Sequence, residues 1–150
     1  MHTDTWPTSV FICVHLWFCG YFNDMGTVIG IGIDHEDVER VAKVFSTPAG
    51  LARVFTPHEI AYCQQKRQRF QHLAARFAAK EAVFKALGTG WTGKLRWTDV
   101  EVLNEPSGKP YITLSGAAKD AADQLGVHTV LVSLSHSRQY AIAQVLLLTA

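Results

Sequence analysis

This 150-residue sequence predicts an α+β fold, with a largely antiparallel sheet packed against helices. Three observations carry that expectation. Segments that alternate with period two and segments with helical spacing follow each other in the order β-α-α-α-β-β-α-β-β. The strands of the last third are joined by short turn-forming segments, as antiparallel neighbours require. One long helix, Phe70 to Leu87, carries an apolar stripe that needs a partner surface.

The first 24 residues stand apart. They hold no Lys or Arg, two acids (Asp4 and Asp24) and two of the three cysteines. Their apolar run, residues 10–22, is interrupted by His15 and Gly20 and is shorter than the roughly 20 residues a spanning helix needs. It also lacks the basic leader and small-residue cleavage site of a secretory signal. We read residues 1–24 as an upstream start-site choice or dispensable extension, and residues 25–150 as one domain beginning at Met25. A surface anchor and a structured first element are the other readings of this segment.

From Met25 onward the elements are regular. Thr27 to Asp34 places Ile29, Ile31 and Ile33 on one face, and Val28, Gly30, Gly32 and Asp34 on the other. Two glycines on one strand face mark a place where something packs or binds closely. Asp37 to Phe45 has Val38, Val41, Val44 and Phe45 at helical spacing and ends at Thr47-Pro48. Thr56-Pro57-His58-Glu59 is a capping box with proline at the first helical position, so a second helix starts there. A polar, basic segment leads into Phe70–Leu87, which Gly88-Thr89-Gly90 stops. Trp97–Leu103 and Tyr111–Leu114 are strands around an Asn104–Pro110 turn. Ser115 is placed to cap a helix ending at Gly126, and Val127–Leu134 and Tyr140–Leu148 form a hairpin.

Composition bounds the function. With 48% hydrophobic and 18% charged residues the chain can bury a core. A net charge of +1 argues against a nucleic-acid binder, and we expect no membrane-spanning segment. Cys13, Cys19 and Cys63 show neither CxxC nor paired-histidine spacing, so we expect a protein of the reducing cytoplasm.

Two residues break their local pattern. In the Phe70–Leu87 helix, Glu81 falls roughly 40° from Phe77, inside the apolar arc. A carboxylate there needs a partner. A Glu81–Lys85 ion pair one turn apart is the bland answer. Asp34 ends an apolar strand on its glycine face, and there the bland answer is a helix N-cap. The sharper reading joins them as the two carboxylates of a Mg²⁺ site, completed by waters and substrate phosphates. Residues 51–85 add seven bases against two acids, which suits either a polyanion or a solvated basic face. Gly88-Thr89-Gly90 and Ser107-Gly108-Lys109-Pro110 offer backbone N–H groups and an ammonium for phosphate.

These residues carry a resemblance. Gly30-Ile31-Gly32-Ile33-Asp34 followed by Arg40, then Phe55-Thr56-x-x-Glu59, is similar to the opening of bacterial holo-[acyl-carrier-protein] synthases. Residues 76–90 (RFAAKEAVFKALGTG) resemble the central signature of that 4′-phosphopantetheinyl transferase family nearly without gaps. Ser107-Gly108-Lys109-Pro110-Tyr111, and Val132-Ser133-Leu134-Ser135-His136 with Tyr140-Ala141, resemble its last blocks. The likeness spans about residues 26–148 and leaves out residues 1–24. His35 departs from it, standing where the family has an aliphatic residue.

The resemblance implies a phosphopantetheinyl transferase fold and activity. The 4′-phosphopantetheine of coenzyme A would pass to a serine of apo-acyl carrier protein, releasing adenosine 3′,5′-bisphosphate, in support of fatty acid biosynthesis. Asp34 and Glu81 would bind Mg²⁺ with the pyrophosphate, and Lys85 would neutralise it, making Glu81 and Lys85 the catalytic pair. Arg76, Lys109 and His136 would take the 3′-phosphate and adenine end, and Arg40 the acidic carrier protein. A homotrimer with sites between subunits is implied too. The rival reading is a non-catalytic trimer using the same surfaces. Such a degenerate member would be expected to lose Asp34, Glu81 or Lys85, and all three are present.

Overall fold

The computed structural model describes residues 26–88 and 95–150. Strand β1 (Val28–Asp37) leads into helices α1 (Val38–Val44), α2 (Pro48–Val54), α3 (Pro57–Gln64) and α4 (Arg69–Ala86). A 3₁₀ turn, Trp97–Asp99, precedes β2 (Val100–Asn104) and β3 (Pro110–Leu114). Helix α5 (Gly116–Gln124) and the hairpin β4 (Thr129–His136) and β5 (Tyr140–Leu148) complete the chain. Every strand pair is antiparallel, in two sheets: β1-β5-β4 and β2-β3. The α+β expectation holds, with two sheets in place of one.

Helix α4 lies on the three-stranded sheet, and glycine sets how closely. A Cβ on Gly32 would stand 1.8 Å from the Ala82 carbonyl oxygen, and one on Gly30 would stand 2.4 Å from that of Ala86. The alanines of α4 supply the matching small surface: Ala75, Ala78, Ala79 and Ala82 are all buried. The glycine face is therefore the core face, opposite Val145 and Ala143 of β5. The isoleucines look outward, Ile31 being 63% and Ile33 56% exposed. A second cluster joins Val38 and Val41 to Phe55, Cys63 and Leu73, with Phe45 edge-on to both Phe55 and Phe77.

Several local expectations need correction. Strand β1 runs three residues past Asp34, so Asp37 is the cap, its Oδ1 accepting from the Arg40 N–H at 2.7 Å. Asp34 is not an N-cap. Thr47-Pro48 does more than end α1, because Thr47 caps the unanticipated α2 by accepting from the Gly50 N–H. Val44 is exposed, while Val38, Val41 and Phe45 carry the buried side of that segment. Trp97 opens a 3₁₀ turn rather than a strand. Ser115 holds the N-cap position of α5 without a side-chain capping bond. The capping box of Thr56 and Glu59 is present as expected. Readings placed on residues 1–25, and on Thr89 and Gly90, lie outside the described residues.

Candidate active site

Alternation along β1 turns Asp34 and Glu36 to the face that α4 covers, and the close glycine contact brings Glu81 and Lys85 over them. Lys85 donates to Asp34 Oδ1 at 2.7 Å and to the Ile33 carbonyl at 3.0 Å. The ion pair thus runs between strand and helix, and the alternative Glu81–Lys85 pairing is not the one adopted. Hydrogen bonding to Asp34 holds the Lys85 ammonium above its ordinary pKa.

Asp34 Oδ2 is buried and has no hydrogen-bond partner. Burial, and then the Asp34 carboxylate, push the Glu81 pKa up. A carboxylate whose ionisation is opposed by a second one beside it, that second one carrying a bare buried oxygen, suits a divalent cation. Among the described residues no group of three or more His, Cys, Asp or Glu side chains gathers as a metal site. Mg²⁺ does not require one, since one or two carboxylates with waters and phosphates complete its shell. The pair Asp34 and Glu81 therefore fits the ion.

Glu36 was missed from sequence. It is buried, burial raises its pKa, and it is ion-paired with Arg40 one turn into α1. Expecting the strand to stop at Asp34 hid it; the i, i+2 spacing from Asp34 was the available signal. Arg40 keeps 62% of its side chain exposed despite the pair. His35 points the other way, toward Tyr140 at 6.5 Å between ring centroids, and does not pack beside Asp34 on the helix-covered face.

A second group forms around Arg76. That side chain is 2% exposed and donates to Asn104 Oδ1 at 2.7 Å, while its Nε is buried without a partner. Its guanidinium lies 4.1 Å from the centre of the Tyr62 ring. His136 at the end of β4 stands edge-on to His72 of α4, centroids 4.9 Å apart. Asn104 also donates to the Gly108 carbonyl, tying the turn that carries exposed Lys109 to Arg76. Arg76, His136 and the Lys109 turn are thus neighbours through Tyr62, His72 and Asn104, none of which the sequence reading singled out. Among the described residues no hydrogen bond or ion pair connects this group to Asp34 and Glu81. Five helical positions separate Arg76 from Glu81, which turns them about 140° apart around α4.

The deepest polar pair is structural. Lys80 lies 2.8 Å from Glu59, with both side chains 0% exposed. Lys80 also donates to the Trp97 and Val100 carbonyls, and Glu59 accepts from the Val102 and Thr56 N–H groups. It locks α3, α4 and β2 together beside the site.

Comparison with known proteins follows the same outline. Residues 30–145 match the family described as the 4′-phosphopantetheinyl transferase superfamily. A holo-[acyl-carrier-protein] synthase of Koribacter versatilis is 44% identical over 122 residues, 80% of this chain and 98% of that protein. Among solved structures, the holo-(acyl-carrier-protein) synthase of Bacillus anthracis in complex with CoA (3′,5′-ADP) superposes with a TM-score of 0.68. It is 34% identical, covering 82% of this chain and 98% of that one. The Helicobacter pylori enzyme in complex with coenzyme A gives 0.68 and 34%, over 78% and 98% of the two chains.

Proposed function

The chain belongs to the 4′-phosphopantetheinyl transferase superfamily, and on that premise we propose that it is a holo-[acyl-carrier-protein] synthase. It moves 4′-phosphopantetheine from coenzyme A to a serine of apo-acyl carrier protein and so serves fatty acid biosynthesis. The observation that carries this reading is the strand–helix apposition of Asp34 with Glu81 and Lys85. The serine hydroxyl attacks the β-phosphorus and loses its proton. The bond from that phosphorus to the bridging oxygen breaks, and adenosine 3′,5′-bisphosphate leaves with the oxygen.

Asp34 and Glu81 are the residues that would hold Mg²⁺. When bound, the ion supplies charge neutralisation at the pyrophosphate and the departing α-phosphate. Lys85 contributes a half-exposed ammonium that can reach phosphate while its stem stays over Asp34. Arg76, Lys109 and His136 take the 3′-phosphate and adenine end, supported by their common neighbourhood and the unused Arg76 Nε. Arg40 meets the acidic carrier protein from the surface of α1.

A homotrimer with sites between subunits is part of this reading. The outward face of the β1-β5-β4 sheet supports it: Ile31, Ile33, Ile142 and Leu131 are exposed together. Apolar patches of this kind mark interfaces on soluble proteins. The separation of the Asp34 and Arg76 groups on one chain also suits a pocket completed by a second subunit. Among the described residues no helix is long and apolar enough to cross a membrane. Free, buried Cys63 is in keeping with the cytoplasm as the place of action.

The test is incubation with apo-acyl carrier protein, coenzyme A and Mg²⁺, followed by intact-mass spectrometry of the carrier. Addition of phosphopantetheine is the expected result. An unmodified carrier, with the protein folded and coenzyme A bound, would turn the reading to a non-catalytic binder.

A further inference from the structure

Histidine 72 has a position that the transfer reaction leaves unexplained. It sits on α4 one turn before Arg76, whose guanidinium donates weakly to the His72 carbonyl at 3.4 Å. Its ring meets His136 edge-on at 4.9 Å and Tyr62 at 6.0 Å. Four groups face it: His136 from β4, Tyr62 from α3, Arg76 from its own helix and Lys66 from the connection before α4. Lys66 and Arg76 both lie over the Tyr62 ring, at 4.4 and 4.1 Å from its centre. The His72 imidazole therefore sits beside a second imidazole, with the cations Arg76 and Lys66 acting on it.

Such an arrangement is costly to protonate while empty. Burial first, then His136, Arg76 and Lys66, hold the His72 pKa below its usual value. A phosphate monoester, close to a dianion at neutral pH, reverses the sign of the local field when it arrives.

We propose that His72 completes the subsite for the 3′-phosphate of coenzyme A, its imidazole taking up a proton from solvent as that phosphate binds. This rests on the reading of Arg76 and His136 as the 3′-phosphate end. His72 is a specificity-determining residue in this scheme and has no part in the chemical step at Asp34, Glu81 and Lys85. Coenzyme A binding is then coupled to pH, whereas binding of 3′-dephospho-coenzyme A is not.

The experiment measures KM for both donors between about pH 5.5 and 8, in the wild type, His72→Phe and His72→Gln, with kcat read separately. Phenylalanine keeps the ring packing and removes the proton site, and glutamine keeps a polar side chain should the ring variant fold poorly. Calorimetry of coenzyme A binding in buffers of different ionisation enthalpy counts the protons taken up. In the wild type we expect KM for coenzyme A to rise as pH passes from 6 to 8, with fractional proton uptake near pH 7. In the variants we expect a several-fold higher KM below pH 7, a flatter profile, less proton uptake and unchanged kcat. Dephospho-coenzyme A should show a flat profile throughout. Variants that keep the wild-type profile and proton count, or a wild-type slope shared by the dephospho donor, overturn the proposal. A wild type that transfers nothing from either donor strikes the transferase reading instead, while proton uptake on coenzyme A binding still decides the role of His72.

Discussion

Lys85 of α4 and Asp34 of β1 meet at 2.7 Å, yet the contact satisfies only one carboxylate oxygen, and Oδ2 stays buried and bare. Lys85 therefore neutralises Asp34 without saturating it. Asp34→Ala and Glu81→Ala should each abolish transfer while leaving the fold intact, because each removes a proposed Mg²⁺ ligand rather than core volume. Lys85→Ala should lower kcat/KM for coenzyme A by about 10²-fold, the scale of losing one charge-stabilising donor. Steady-state kinetics at limiting Mg²⁺, with circular dichroism as the folding control, check all three. Near-wild-type turnover by either carboxylate variant would remove the metal assignment.

Gly32 sets the distance on which that geometry depends. A methyl group at this position has nowhere to go, since the Ala82 carbonyl would lie 1.8 Å away and both groups belong to backbone. Gly32→Ala must lift α4 from β1, moving Glu81 and Lys85 relative to Asp34. We expect loss of activity together with a drop in stability of about 1–3 kcal/mol, the cost of overpacking a tight core. Urea denaturation and the transfer assay measure the two effects. An alanine variant as stable and active as the parent would show that the helix–strand spacing is not critical.

The buried pair makes a different kind of prediction. Lys80 and Glu59 are wholly enclosed, and burial depresses the Lys80 pKa even with the carboxylate beside it. Removing one partner strands the other, so Lys80→Met should destabilise the protein by about 3–5 kcal/mol. Removing both charges, as Lys80→Met with Glu59→Gln, should cost less than Lys80→Met alone. Urea midpoints of the two variants decide it. A double variant less stable than Lys80→Met would mean the ion pair is not what the charges are there for.

How much of this was legible in the sequence depended on whether the signal was local. The Thr56–Glu59 capping box was readable because both of its hydrogen bonds close within four residues. The second duty of Glu59, holding Lys80, was not, because it depends on α3 meeting α4. Period two correctly divided β1 into a glycine face and an isoleucine face. Which face α4 would cover is a matter of packing that alternation alone does not decide. Asp34 and Glu81 stood out as carboxylates in apolar surroundings, and the structure brings them together. Glu36 escaped because β1 was expected to end three residues too early, and His72 because a polar residue beside a helix stripe carries no mark of its own. Helix α2 was hidden by Thr47-Pro48, which reads equally well as the end of one helix or the start of the next.

Arg40 is where structure sharpens the expectation about the carrier protein. Its guanidinium is paired with buried Glu36 on one side and exposed on the other, so it is held in place while free N–H groups face solvent. Replacing it with glutamate would set two carboxylates against each other and disturb α1. Arg40→Gln is the cleaner change, since an amide can still donate toward Glu36 while the positive charge is gone. An acidic partner loses an attractive contact and some of its electrostatic guidance. We expect KM for apo-acyl carrier protein to rise several-fold, with KM for coenzyme A and the thermal midpoint nearly unchanged. The difference from wild type should shrink with added salt, because screening shortens from about 10 Å at 0.1 M to about 3 Å at 1 M. Steady-state kinetics with each substrate varied at two ionic strengths provide the measurement. Equal effects on both substrates, or a difference indifferent to salt, would make Arg40 a scaffold for β1 and α1 rather than a docking residue.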